Sequence, residues 1–186
     1  MDKMKLRALG RRLREDGEKD GFGEKAFNKL LSIPEYEKAK LIMLYLSLEK
    51  EAPTDYILEE ILSMGKRVCV PVTEGRIITP CEILKDDELI KGAFNVREPA
   101  VKRPIKNEDI DLSIVPGLIF DKSGGRCGYG KGCYDSFLEK SDSVKVGLAF
   151  SSQIIDEVYT EAHDIKMDYI ITEKEVINCG DAKNKK

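Results

Sequence analysis

Residues 111–138 read DLSIVPGLIFDKSGGRCGYGKGCYDSFL, and this stretch limits the possible folds of the chain more sharply than any other. Leu112, Ser113, Ile114 and Val115 form a short, largely apolar run that ends at the turn pair Pro116 and Gly117. A polar segment follows, with glycine at 124, 125, 128, 130 and 132. Beyond it, the apolar spacing of Cys133, Tyr134, Phe137 and Leu138 suits a helix over 131–140. Strand, glycine loop and helix is the arrangement by which α/β proteins hold phosphate. Glycines let backbone N–H groups approach an anion, and the helix N-terminus adds partial positive charge. Arg126 and Lys131 lie inside the loop and add full charges.

The flanking sequence alternates between helix and strand signals. A helix is expected over 1–16, with Leu6, Leu9 and Leu13 on one stripe, interrupted by Gly17. Phe27, Leu30 and Leu31 suggest a short second helix that stops before Pro34. The apolar run KLIMLYLS at 40–47 reads as a buried strand. A helix follows over 53–64, opened by Pro53 and closed by Gly65. A second buried strand is expected over 67–72, ended by Pro71, then a turn at Glu74 and Gly75. The strand over 77–84 contains Pro80 and so suits an edge. Residues 86–90 read as a short helix, and 92–109 as an irregular surface excursion. Beyond the glycine loop come strands over 144–150 and 168–172, with a short helix over 151–157 between them. This alternation predicts an α/β fold: one three-layer α/β/α sandwich over 1–180 around a mixed, mostly parallel sheet, with a polar tail at 181–186.

Bulk properties narrow the function. The net charge of −3 gives no global field for nucleic acid or an anionic membrane surface. No apolar run approaches the roughly 20 residues that span a bilayer. The basic N-terminal stretch lacks the apolar centre of a signal peptide, so a cytoplasmic protein is expected. Five scattered cysteines without a CxxC pair suggest reduced thiols, and one histidine leaves a zinc site little to draw on.

Several residues invite a chemical reading and a plainer one. The loop pattern RxGxGxG departs from both GxxxxGK[ST] and GxGxxG, so it is either a phosphate cradle or a flexible connection. The nearby arginine, lysine and acid favour the cradle. Asp135 either complements the helix dipole or holds Mg²⁺ beside substrate phosphates. Lys3 and Arg7 share a helix face and form either a ligand contact or a solvated basic stripe. Glu51 follows the first strand, where open α/β sheets place ligand-binding groups, and is otherwise a surface acid. Cys133 is better read as a small residue packed under the loop than as an activated thiol. A lone His163 beside Asp164 is more often structural than catalytic.

Taken together, these motifs resemble the 5-formyltetrahydrofolate cyclo-ligase family, also called 5,10-methenyltetrahydrofolate synthetases. The start Lys3-Met4-Lys5-Leu6-Arg7 is similar to the family's KxxLR. Tyr45-Leu46-Ser47 with Glu51 and Thr54 is similar to its YLS…ExxT segment, and Asn95-Val96-Arg97-Glu98-Pro99 to its G-I-x-E-P region. The longest match runs from Val115-Pro116-Gly117 through Phe120-Asp121 to Gly130-Lys131-Gly132 and Tyr134-Asp135. Gly147 to Phe150, His163-Asp164 and the segment at 168–173 follow in the same order. Cys133 stands where the family usually has a first tyrosine of Tyr-Tyr-Asp, which removes a ring that could pack on folate. Tyr159-Thr160 occupies a segment where the family commonly carries proline.

The resemblance implies an α/β/α sandwich and ATP-dependent cyclisation of 5-formyltetrahydrofolate to 5,10-methenyltetrahydrofolate, with Mg²⁺ accompanying ATP. Lys3, Arg7, Arg126, Gly128, Tyr129, Gly130, Lys131, Gly132 and Tyr134 would contact ATP. Leu46, Glu51, Tyr129, Lys131, Cys133 and Tyr134 would contact the folate, and Asp135 and Asp164 would hold the metal. The expected partners are these small molecules, without nucleic acid or membrane, in a monomer or homodimer. Two alternatives remain at this point: a non-catalytic nucleotide- or folate-binding module, and an ATP-dependent enzyme acting on a related N-formyl or pterin-like compound.

Overall fold

The computed structural model describes residues 3–161 and 164–180, so His163 and the 181–186 tail lie outside the described residues. The chain begins with α1 (Lys3–Glu15), α2 (Phe22–Leu30) and the single turn α3 (Pro34–Lys38), then enters β1 (Leu41–Leu44). Pro34 sits in the first turn of α3, where its missing N–H leaves no helix bond unmade. Next come α4 (Asp55–Ser63), β2 (Arg67–Glu74), β3 (Ile77–Ile83), and the hairpin strands β4 (Leu89–Lys91) and β5 (Arg97–Pro99). The glycine-loop region supplies β6 (Leu112–Val115), β7 (Ile119–Asp121), β8 (Arg126–Cys127) and α5 (Cys133–Leu138). The chain continues through β9 (Val144–Leu148), β10 (Ile154–Ile155), β11 (Tyr169–Ile171) and β12 (Val176–Asn178).

Seven strands form the central sheet in the order β12-β11-β9-β6-β1-β2-β3. The five inner strands are parallel, and the two edge strands are antiparallel to their neighbours. Alternate residues of β1 explain why its apolar run is unbroken. Ile42 and Leu44 pack with Phe22, Phe27, Ile57 and Ile61 from α2 and α4, while Leu41 and Met43 pack with Phe137 and Leu138 from α5. Both faces of the sheet are therefore buried, as parallel sheets require.

A smaller sheet, ordered β10-β7-β8, supports α1. Leu6, Leu9 and Leu13 pack against Ile119, Cys127 and Val158. A Cβ at Gly10 would lie 2.8 Å from the Leu118 carbonyl oxygen and from Ile119 Cγ1, so only glycine permits this approach. The basic N-terminal helix is thereby fixed against the hairpin that leads into the glycine loop.

Four local expectations are corrected. The strand expected to end at Pro71 continues to Glu74, with Pro71 opposite Pro80. The register between β1 and β2 extends only to Cys69, so β1 asks no donor of Pro71. Residues 86–90 do not form a helix: the Asp87 carboxylate accepts the Leu84 N–H at 2.8 Å, making a turn that feeds β4. The excursion at 92–109 is partly regular, because β4 pairs antiparallel with β5. Its tip holds Phe94 and Asn95 in left-handed backbone geometry, with no glycine at either position to signal it. The segment at 151–157 makes only a 3₁₀ turn, Ser151–Gln153, before β10 pairs with β7. The Gln153 amide donates to the carbonyls of Gly117 and Leu118 at 2.9 and 3.0 Å, drawing the chain alongside β7. Among the described residues, no helix is long and apolar enough to cross a membrane.

From β1 the chain moves outward to β2 and β3. From β6, on its other side, it moves outward to β9 and β11. The order therefore reverses between β1 and β6, and the crevice beyond their C-terminal ends is where open α/β sheets bind ligands.

Candidate functional site

The two loops that leave β1 and β6 meet over that crevice. Tyr45, Leu46 and Ser47 leave the strand and begin the first loop. Its shape is fixed by reciprocal bonds: the Ser47 N–H donates to Thr54 Oγ1 at 3.0 Å, and the Thr54 N–H donates to Ser47 Oγ at 3.1 Å. The Tyr45 hydroxyl adds a bond to the Ala52 carbonyl at 2.7 Å. Glu51 is buried within the loop, and its Oε2 accepts the Leu48 N–H at 2.8 Å. Its other oxygen accepts the hydroxyl of Tyr129, from the opposing glycine loop.

Arg126 anchors the second loop. Its side chain is 3% exposed, and Nη2 pairs with Asp135 Oδ1 at 2.8 Å. Nη1 donates to the Pro116 carbonyl at 3.3 Å, while the buried Nε has no hydrogen-bond partner. The guanidinium also lies 5.8 Å from the Tyr134 ring centroid. A buried arginine with one carboxylate partner and an unpartnered N–H retains donor capacity for an anion. Lys131, further along the loop, lies over the Phe94 ring at the tip of the β4–β5 hairpin.

The face of α1 turned to the loop carries Lys3, Arg7 and Arg14. Arg7 Nε donates to the Gly128 carbonyl at 3.4 Å. Gly130 has φ +97°, a conformation that demands glycine, and its bare Cα lets the Arg7 guanidinium lie where a Cβ would come within 2.8 Å of it. Arg14 donates to the Tyr129 hydroxyl and lies 5.5 Å from that ring's centroid. Lys3 Nζ pairs with Asp164 at 3.0 Å and with Glu161 at 2.9 Å. Burial alone would lower the Lys3 ammonium, but these two carboxylates outweigh it and hold the group above its ordinary pKa. Burial, then the Glu51 charge and the bond to it, push the Tyr129 hydroxyl well above the usual phenol range. Tyr129 is therefore a neutral donor at physiological pH.

All the residues that the resemblance assigns to ATP, folate or metal border one cavity of about 460 Å³. Leu46 and Glu51 come from the first loop, Lys3 and Arg7 from α1, and Asp164 from the segment before β11. Arg126, Gly128, Tyr129, Gly130, Lys131, Gly132, Cys133, Tyr134 and Asp135 come from β8, the glycine loop and α5. Cys133 packs beside the apolar cluster of Met43 and Phe137, in keeping with its reading as a residue packed beneath the loop. Asp135 Oδ1 also lies 3.5 Å from the Ile165 N–H, which brings it to the residue next to Asp164.

The 5-formyltetrahydrofolate cyclo-ligase family model matches residues 3–173. The chain belongs to that family. A probable 5-formyltetrahydrofolate cyclo-ligase from Caenorhabditis elegans is 31% identical over 170 residues, covering 83% of this chain and 82% of the relative. The 5-formyltetrahydrofolate cyclo-ligase of Mus musculus is 29% identical over 160 residues, covering 78% and 79%. The NMR structure of Aquifex aeolicus 5,10-methenyltetrahydrofolate synthetase is similar with a TM-score of 0.86 and 32% identity, covering 100% of this chain and 97% of that one. The cyclo-ligase motifs at the N-terminus, after β1 and along the glycine loop thus converge on one crevice of a cyclo-ligase-family fold.

Sequence reading missed several parts of the site, among them Arg14, which holds Tyr129 without bordering the cavity itself. Arg14 lies seven residues beyond Arg7, nearly two helical turns along the same face, so its spacing could have revealed it. Phe94 and Val96 border the cavity, but they sit on the unforeseen hairpin and no periodic signal marks them. Pro71, Thr73 and Ile78 reach the wall through the pairing of β2 and β3, which spacing along the chain does not reveal.

Proposed function

We propose that this protein converts 5-formyltetrahydrofolate to 5,10-methenyltetrahydrofolate with cleavage of ATP to ADP and phosphate. The observation that carries the reading is the shared cavity. It joins the cations of Lys3, Arg7, Arg126 and Lys131 to the buried carboxylate of Glu51, in a chain whose family is the cyclo-ligases. Phosphoryl transfer asks a protein mainly to position its reactants and neutralise charge, and the first set of residues suits that task. Glu51 suits recognition of a pterin N–H edge through charge-assisted hydrogen bonds, with Leu46 beside it.

In this reading Lys3, Arg7, Arg126 and the backbone at 128–132 hold the ATP phosphates. The formyl oxygen attacks the γ-phosphorus as its bond to ADP breaks, giving an iminium phosphate. N10 then attacks the activated carbon and loses its proton, and the carbon–oxygen bond breaks to release phosphate. Tyr129, Lys131, Cys133 and Tyr134 line the junction between the two substrates.

Asp135 and Asp164 offer oxygen donors of the kind Mg²⁺ takes when substrate phosphates complete its shell. When bound, the ion would offset the charge on the phosphoryl group being transferred.

The test is the methenyl-folate absorbance. It is expected only when protein, MgATP and 5-formyltetrahydrofolate are present together. ATP binding without turnover would point to a non-catalytic module. ADP release with a different N-formyl compound and none with 5-formyltetrahydrofolate would redirect the assignment to that substrate.

A further inference from the structure

We propose that Asp121 is the positioning residue that sets Arg126 and Asp164 relative to one another; the proposal rests on the nucleotide and metal reading above. Asp121 ends β7, is 2% exposed, and lies outside the residues assigned to ligands. Its carboxylate joins two separate segments. Oδ1 accepts the Ser123 hydroxyl at 2.7 Å and the N–H groups of Ser123 and Gly125 at 2.8 and 2.9 Å. Those bonds shape the tight turn that delivers Arg126, the next residue along the chain. Oδ2 accepts the Val158 N–H at 2.7 Å, from the segment that carries Asp164.

The far end of that second segment is held by the same turn. The Met167 N–H donates to the Gly124 carbonyl at 2.9 Å. Both ends of the stretch between Val158 and Met167 are therefore fastened to the turn at 121–125. The Asp121 carboxylate makes one fastening directly and shapes the turn that makes the other. A carboxylate has the acceptor sites for all four donors, whereas an amide replaces half of them with N–H groups. Asp121→Asn must therefore turn a donor toward another donor, on the Val158 side or the Ser123 side. It should loosen one segment against the other without touching either substrate.

The experiment measures binding of MgATP and of 5-formyltetrahydrofolate separately by calorimetry, for the wild type, Asp121→Asn, Val158→Pro, Val158→Ala and Ser123→Ala. Val158→Pro deletes the N–H that Oδ2 accepts without changing the buried acid, and Val158→Ala, which keeps that N–H but loses the same packing against α1, is its reference. Asp121→Asn and Val158→Pro are each expected to raise the MgATP Kd at least tenfold while folate Kd stays within twofold. Ser123→Ala removes one of the four bonds to Asp121 and keeps the N–H groups of Ser123, Gly125 and Val158, so its MgATP Kd should rise less than that of either variant. MgATP affinity in Val158→Pro no weaker than in Val158→Ala, or an equal loss of both ligands, would overturn the positioning role. If Asp121→Asn does not fold, Val158→Pro decides the matter. Failure of the wild type to bind MgATP would overturn the nucleotide reading and this proposal with it. Wild-type binding with unaffected variants would overturn the proposal alone.

Discussion

The hydroxyl of Tyr129 donates to one oxygen of Glu51, while the other oxygen of that buried carboxylate accepts the Leu48 N–H at 2.8 Å. The contact links the loop after β1 to the glycine loop after β6, across the point where strand order reverses. It also fills the Glu51 oxygen that a pterin N–H group would use. Tyr129 is 40% exposed, so its phenol can swing outward without vacating a packed core once its bond from Arg14 is released.

Tyr129→Phe keeps the ring and removes the competing hydroxyl. A hydrogen bond to a charged group contributes about 1.5–3 kcal/mol, part of which the wild type surrenders when folate binds. The variant is expected to bind 5-formyltetrahydrofolate about threefold tighter, with MgATP affinity within twofold of wild type, by calorimetry. Weaker folate binding would show that the hydroxyl contacts the substrate directly.

Glu51→Ala should do the reverse. Removing the buried acceptor is expected to raise the folate KM more than tenfold and leave the MgATP KM within about threefold. Unchanged folate affinity would remove Glu51 from the pterin site.

Arg126→Ala removes the most buried cation of the cavity wall and leaves Asp135 without its partner at 2.8 Å. Breaking a buried pair from one side is strongly destabilising, here on the order of 3 kcal/mol because Asp135 keeps some solvent contact. The MgATP KM should rise at least tenfold with the folate KM little changed, and thermal denaturation should show a lower Tm. Equal loss toward both substrates would place Arg126 elsewhere in the mechanism.

The parallel core strands and the glycine loop were legible because burial on both faces leaves unbroken apolar runs, and because glycine, arginine and acid cluster within a few residues. For the site candidates, Lys3 with Arg7 and Arg126 with Asp135 are short-range patterns that raised the question, whereas Leu46 and the ligand roles came from the resemblance to the cyclo-ligase family. The hairpin of β4 and β5 was not legible. Its strands are three residues each, and its tip uses left-handed geometry at Phe94 and Asn95. The three-stranded sheet escaped notice because β8 and β10 are two residues each and are defined by their partners. Asp121 entered only as part of the family match and without a role, since the donors that give it one come from residues up to 37 positions away.

Gly10→Ala tests the seat of α1. Alanine favours a helix over glycine by about 1 kcal/mol, but here its Cβ would lie 2.8 Å from the Leu118 carbonyl oxygen. Overpacking of this kind costs about 1–3 kcal/mol, so the close approach should win. The helix must lift, carrying Lys3 and Arg7 with it. The expected result is a lower Tm and a several-fold higher MgATP KM, whereas Arg11→Ala on the exposed face should change neither. A Tm at or above wild type would mean that α1 can move away from β7 without loss.

Asp121 also predicts a pH dependence of stability. Burial pushes its carboxyl upward, but the bonds from Ser123, Val158 and Gly125 outweigh that effect and hold it below its ordinary value of 3.8. A folded-state pKa lower than the unfolded one means that the native state favours the ionised group. Its stabilising contribution is therefore fully present above the unfolded value and is lost as pH falls through the depressed folded one. Asp121→Asn should lie below wild type in Tm at pH 7 by a margin that stays constant down to about pH 5. Below about pH 4 the two curves should converge, because the wild-type carboxyl becomes protonated and loses an acceptor. A margin that persists undiminished at pH 3 would show that the charge on Asp121 contributes nothing and that its shape alone holds the two segments.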